Sequence, residues 1–194
     1  MQHGWIYEVI ATTCGEHGPH AAPMGILTPD GVTLKAELFK GSKTLANFLQ
    51  NQILGLNLVH DPVQLHDALY RRERLRFTFA VGEAVGVPFL ENADAWLALH
   101  LTRGPETERT MILTATLAWW RAFGPVSLLN RAPGLLLESL VLSTRRHLLP
   151  PEAFRERLLE NARVIAKTAP GSVQATAMED LLGVMGLEGC PPPR

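Results

Sequence analysis

Five consecutive residues, Lys40-Gly41-Ser42-Lys43-Thr44, are of the types best suited to holding an anion, and Asn47 follows one helical turn later. Lys40 and Lys43 supply positive charge, and Ser42 and Thr44 supply hydroxyl donors. The run leads into Leu45-Ala46-Asn47-Phe48-Leu49, which reads as a helix. A helix start adds unpaired backbone N–H groups and the positive end of the macrodipole. Together these features suit a phosphate dianion. The plainer reading makes Ser42 or Thr44 an N-cap with solvated lysines, a common arrangement at helix starts. A nucleotide-triphosphate P-loop is excluded. It needs glycine directly before the lysine and again five residues earlier, and Ser42 and Glu37 stand there.

Other constellations carry weaker chemistry. Cys14-x-x-His17-x-x-His20 holds metal-ligand types at close spacing, with the distant Cys190 as the only evident fourth ligand. Zinc sites normally show a second ligand pair, so a glycine-proline loop that happens to contain histidines is the better account, and no metal is expected. His60 ends a strand-like run and His66 reads as a helix-surface residue. No Gly-x-Ser-x-Gly elbow and no Gly-x-Gly-x-x-Gly fingerprint occurs. Trp119-Trp120 suits a core or dimer interface better than a stacking platform. No general acid or base emerges from this survey.

The elements that must position the cationic run are mostly strands. Val32, Leu34, Ala36 and Leu38 alternate with Thr33, Lys35 and Glu37, the period of a half-buried strand. Trp5–Thr13 and Ala21–Thr28 read as earlier strands, with Cys14–Pro19 as a loop. Pro29-Asp30-Gly31 reads as a tight hairpin turn. Ile53–His60 reads as a buried strand. Asp61-Pro62 fits an N-cap and first helical position, opening a helix over Val63–Arg71. Phe77–Val87, Asn92–Thr102 and Thr110–Trp120 read as strands, the last two separated by a turn at Arg103-Gly104-Pro105.

From Ala122 the pattern becomes helical. Arg131–Leu149 reads as one helix stopped by Pro150-Pro151. Phe154, Leu158, Ala162 and Ile165 form the apolar stripe of a second helix. Val173, Ala177, Leu181 and Met185 mark a third. The expected fold is α+β, with a β-barrel part over residues 1–125 and a helical subdomain over 126–190. The boundary falls within Phe123–Asn130.

The chain has 194 residues, 46% hydrophobic and 19% charged, as in an ordinary globular protein. A formal net charge of −1 argues against a nucleic-acid partner. Arg71-Arg72-Glu73-Arg74 with Arg76 is the one basic cluster and reads as a solvated face. The two cysteines make no disulfide framework and suit a reducing cytoplasm. No apolar run is long enough for a membrane span, and the first residues lack a signal-peptide layout. Beyond the short tail Pro191-Pro192-Pro193, no low-complexity segment is present.

Several segments in order resemble a known family. They are Ile6–Thr13, His20-Ala21-Ala22-Pro23-Met24-Gly25, Lys40-Gly41-Ser42-Lys43-Thr44-x-x-Asn47 and Asn57–Pro62, followed by Asn130-Arg131-Ala132 with Glu138 and Thr144-Arg145. The sequence resembles the uncharacterised FMN-binding split-barrel proteins of archaea and methylotrophic bacteria, a family named as a domain of unknown function. The resemblance spans nearly the whole chain. It implies an FMN-binding split β-barrel followed by C-terminal helices, and a homodimer with FMN near the interface.

The same resemblance implies that Ser42, Lys43 and Thr44, with Lys40 nearby, hold the FMN phosphate. It further implies that Asn47 reaches the same ligand, and that Ala22, Pro23, Met24 and Gly25 run beside the isoalloxazine. His20 stands where a small polar residue such as asparagine is expected, and Arg131 and Arg145 are candidates to reach the flavin. The implied function is a flavin-dependent oxidoreductase acting on a small redox substrate, linked by the company the family keeps to one-carbon, tetrahydromethanopterin metabolism. The rival readings are a non-catalytic flavin module acting as carrier, sensor or assembly factor, and a binder of another flat ligand such as a pterin.

Overall fold

The computed structural model describes residues 1–80, 86–187 and 189. The expected metal candidate Cys190, the Pro191–Pro193 tail and the middle of the Phe77–Val87 strand lie outside these residues. The chain divides into two compact units. One comprises Met1–His3 and Tyr7–Leu129; the other comprises Gly4–Ile6 and the chain from Asn130 onward.

The first unit is built on a closed six-stranded barrel. Its strands are β1 (Ile6–Gly15), β2 (Gly18–Leu27), β3 (Leu34–Phe39), β4 (Ile53–Leu58), β7 (Ala95–Glu106) and β8 (Thr110–Ala122), in the order β1-β2-β3-β8-β7-β4. β4 pairs antiparallel with β1 through Ile10 and Asn57, which closes the ring. The short strands β5 (Phe77–Phe79) and β6 (Pro88–Leu90) form a separate antiparallel pair. Helix α1 (Lys43–Asn51) connects β3 to β4, and α2 (Pro62–Tyr70) follows β4. The fold is α+β, as expected.

The barrel interior is filled by Ile26, Leu38, Leu54, Leu56, Leu99 and Leu113, all buried. They leave a void of only about 10 Å³. A flat ring system has no room there, so a ligand must bind outside the barrel wall.

A polar knot fastens the closure. The Asn57 side-chain amide donates to the Ile10 carbonyl at 3.0 Å and to Thr12 Oγ1 at 3.1 Å, and its oxygen accepts from the Leu90 N–H at 2.7 Å. Thr12 Oγ1 in turn donates to the Pro88 carbonyl. Gly55 has no space for a side chain, because a Cβ there would meet Thr12 Oγ1 and come within 2.8 Å of the Pro88 carbonyl oxygen.

Two expected turns are placed differently. The Cys14–Pro19 loop shrinks to a turn at Glu16-His17, with Gly18 at φ +88° opening β2. Arg103-Gly104-Pro105 is not a turn but lies inside β7, where the β7–β8 register shifts between Arg103 and Glu106. Such a bulge accepts proline and glycine. A Cβ on Gly104 would lie 2.9 Å from the Ile112 carbonyl oxygen, so the close approach requires glycine. The true turn is held by Thr107, whose hydroxyl accepts from the N–H groups of Arg109 and Thr110 at 3.2 and 3.0 Å. β3 begins at Leu34 rather than Val32, which is exposed in the turn.

The second unit packs α3 (Ala132–Thr144), α4 (Pro151–Thr168) and α5 (Val173–Val184). Its core joins Phe154, Leu158 and Ile165 of α4 to Ala175, Met178 and Leu181 of α5, with Leu135, Leu136 and Leu142 of α3 against them. The expected single helix to Leu149 ends at Thr144. There Ser143 and Thr144 hydroxyls donate back to the Leu140 and Val141 carbonyls at 2.8 Å, competing with the helical ladder. On α5 Leu181 and Met185 join the core as expected, whereas Val173 and Ala177 are exposed and Ala175 and Met178 are buried in their stead. Among the described residues no helix is long and apolar enough to cross a membrane.

Candidate functional site

Gly41, at φ +81°, turns the chain out of β3, and Ser42 caps α1. The Ser42 hydroxyl accepts from the Leu45 N–H at 3.3 Å. This is the N-cap of the plainer reading, and it is compatible with the phosphate reading. The cap uses the Leu45 N–H, whereas among the described residues the N–H groups of Lys43 and Thr44 make no hydrogen bond. Two orphan donors therefore remain at the positive end of the helix. Thr44 is buried, and Lys43 is exposed with no ion pair among the described residues.

Lys40 and Asn47 are already engaged. Lys40 Nζ pairs with Glu106 at 2.7 Å, and that contact, by hydrogen bond and by charge, holds the Glu106 carboxyl below its ordinary pKa. The Asn47 amide donates to Thr13 Oγ1 at 3.0 Å, and its side chain fills the space where a Cβ on Gly15 would stand. Asn47 thus anchors α1 to β1. The structure brings Ser42, Lys43 and Thr44 together, with Lys40 turned to the β7–β8 hairpin.

On β2, Ala22, Pro23 and Gly25 are half-buried, whereas Met24 is buried toward the barrel interior. His20, at the start of the same strand, is only 6% exposed. Its pKa is lowered to about 4 by burial, then by the charges of Arg72 and Lys43. Arg71, Arg72, Arg74 and Arg76 are exposed, as the solvated-face reading of that cluster expects, and the effect of the Arg72 charge on His20 is what the sequence did not signal.

Other candidates resolve into structural roles. Among the described residues no three His, Cys, Asp or Glu side chains gather as metal ligands. His60 Nδ1 lies 2.8 Å from the Asp94 carboxylate at the surface, and His66 contacts Asp67. Trp119 packs near Phe89 in the core, whereas Trp120 is 63% exposed. In the helical unit, Asn130 donates to the Ile6 and Thr168 carbonyls at 2.8 Å and accepts from the Ala132 N–H at 2.8 Å, starting α3. Glu138 and Arg145 line one groove of about 1080 Å³ between α3 and α4 without forming an ion pair with each other. No period in the sequence signalled that groove.

The likeness to known proteins follows the barrel. Over 94% of this chain and 95% of the other, the structure is similar to an FMN-bound DUF447 protein of Methanosarcina mazei, at 26% identity and a TM-score of 0.53. A flavin reductase domain protein of Arthrobacter shares the fold over 63% of this chain and 80% of its own, at 12% identity and a TM-score of 0.53. An FMN-binding protein of Thermus thermophilus, solved with p-hydroxybenzaldehyde, does so over 60% and 71%, at 12% identity and a TM-score of 0.51. Residues 7–121 match the family model described as the N-terminal domain of a protein of unknown function, DUF447. The chain belongs to the DUF447 family, the domain of unknown function that its segments resemble.

Proposed function

We propose that this protein binds FMN, with the phosphate at the start of α1 and the ring system along β2 outside the packed barrel. The observation that carries the reading is the pair of N–H groups on Lys43 and Thr44 that have no acceptor among the described residues, beside the Lys43 ammonium, which makes no ion pair among them. The full-length likeness to an FMN-bound relative supports it. Ser42, Lys43 and Thr44 hold the phosphate, and the backbone from Ala22 to Gly25 faces the ring's polar edge. Bound flavin supplies hydride or electron transfer, and the chain supplies binding and orientation. The activity proposed is oxidoreduction of a small substrate. The working form is a homodimer, a reading favoured by the apolar side chains of Leu117, Trp120 and Phe123, which stay exposed around the end of β8.

The test is comparative titration of FMN and riboflavin. A charge-assisted hydrogen bond contributes about 1.5–3 kcal/mol, and about 1.4 kcal/mol is tenfold in affinity. Lys43→Ala is expected to weaken FMN binding roughly ten- to a hundredfold and to leave riboflavin unchanged. Equal losses for both ligands would refute the phosphate assignment. The visible spectrum of the purified protein, with released cofactor identified by mass, checks the flavin. Turnover with a reduced nicotinamide or deazaflavin donor separates an enzyme from a flavin-carrying module.

A further inference from the structure

Helix α3 is apolar on every side. Glu138 is its only charged residue, and leucine or valine stands at six of its 13 positions. A helix of that kind is normally covered all round. The helical unit covers one side of it. Leu135, Leu136 and Leu142 pack on the core, whereas Leu137, Leu140 and Val141 stay 61%, 46% and 37% exposed. Leu148, in the turn after the helix, is 67% exposed.

The groove between α3 and α4 opens on this bare side, with Val141 and Leu148 in its walls. Its charged lining is evenly divided, with Glu138, Glu156 and Glu160 against Arg145, Arg157 and Arg163. Glu160 and Arg163 pair with each other at 2.6 Å. Glu138, Arg145, Glu156 and Arg157 make no ion pair among the described residues. Among those residues the one buried side-chain atom without a partner, Gln174 Oε1, is on α5 and not in the lining. The groove therefore lacks the inward polar groups that fix a small ligand. Its balanced charges complement neither an acidic nor a basic partner.

They do complement a second copy of themselves. In a two-fold contact both sides present the same patch, so each acid on it must meet a base of the other copy. Glu138 and Arg145, the C-cap, stand two helical turns apart on α3, about 10.5 Å along its axis. Val141 and Leu142 lie midway. With two α3 helices antiparallel about that midpoint, each Glu138 faces the partner's Arg145, and Val141 meets the apolar side of the partner helix.

We propose that the α3–α4 face is a self-association surface, in which α3 of a second copy lies antiparallel against α3 and the two helix pairs form a four-helix bundle. The contact takes Leu137, Leu140 and Val141 out of water, and the two Glu138–Arg145 pairs set its direction. These residues are other than Leu117, Trp120 and Phe123, which favour the barrel homodimer, and the contact requires neither that homodimer nor the flavin.

The test is the self-association constant of the full chain, measured by sedimentation over a dilution series. Glu138 and Arg145 are both exposed, so their variants keep the fold, which the melting temperature checks. Glu138→Arg opposes the partner's Arg145 with a like charge, and Arg145→Glu does the same to the partner's Glu138. Each is expected to weaken association about tenfold or more. An equimolar mixture of the two single variants is expected to recover it, as is the double variant Glu138→Arg with Arg145→Glu, because opposite charges again meet. Trp120→Glu separates this surface from the barrel one. If Trp120→Glu dissociates the assembly while the α3 variants leave it intact, the α3 contact is overturned and the barrel homodimer stands. If the α3 variants dissociate it while Trp120→Glu leaves it intact, the α3 contact stands and the barrel reading falls. A parent chain that stays monomeric at high concentration leaves the groove to some other partner and overturns the proposal, as do single variants whose mixture fails to recover association.

Discussion

Acid acts on this fold in part through one buried ring. The His20 pKa is lowered from 6.5 to about 4, first by burial and then by Arg72 and Lys43. In the unfolded chain the imidazole takes a proton as pH falls through about 6.5, whereas the folded chain refuses it until about pH 4. Between those values the unfolded state binds more protons, so stability rises with pH and is lost as pH falls through the window. From about pH 7.5 to about pH 4.5 this ring alone removes about 2–3 kcal/mol, a large share of the roughly 5–15 kcal/mol that holds a typical domain. Urea unfolding of the flavin-free protein at both pH values, beside His20→Asn, isolates the effect. Asparagine keeps a polar side chain at the position and does not titrate. The parent is expected to lose about 2–3 kcal/mol more than the variant on acidification. Parallel losses would refute the reasoning, because they would mean that His20 titrates alike in both states.

Further outcomes follow from the barrel and the helices. Gly55→Ala places a methyl group against Thr12 Oγ1 and the Pro88 carbonyl, and is expected to cost about 1–3 kcal/mol by thermal or urea unfolding. Asn57→Ala strips the buried Leu90 N–H of its acceptor and is expected to cost at least about 1–3 kcal/mol in the same assay. Leu158→Ala, at a fully buried site of the helical unit, is expected to cost about 2–5 kcal/mol and lower the melting temperature without moving the flavin absorption maximum. Lys40→Ala is expected to change FMN affinity far less than Lys43→Ala, because Glu106 already holds the Lys40 ammonium; equal effects in a titration would place both lysines on the phosphate.

What the sequence disclosed was local. The alternation before Lys40, the Ser42 cap and the Asp61-Pro62 helix start each depend on residues within one turn or one strand, and each is present in the structure. Gly104-Pro105 misled because the same dipeptide that makes a turn also fits a bulge, and only the register against β8 distinguishes the two. The first half of the α5 face was misplaced because Val173 and Ala177 share a helical spacing with Leu181 and Met185, which do join the core, while packing selected Ala175 and Met178 ahead of them. The closure knot was invisible for a different reason. Thr12, Gly55, Asn57 and Pro88 meet only when β4 returns to β1, and no spacing along the chain encodes that return. The same holds at the candidate site. Lys43 was legible as part of a cationic run and Arg72 as part of a solvated one, which is exposed, whereas His20 belonged to a loop that looked metal-like and is buried on β2. Only the packing of α1 and α2 on β2 brings together the elements beside which these residues stand. The start of α1 can therefore be read from residue order, and what packs around it cannot.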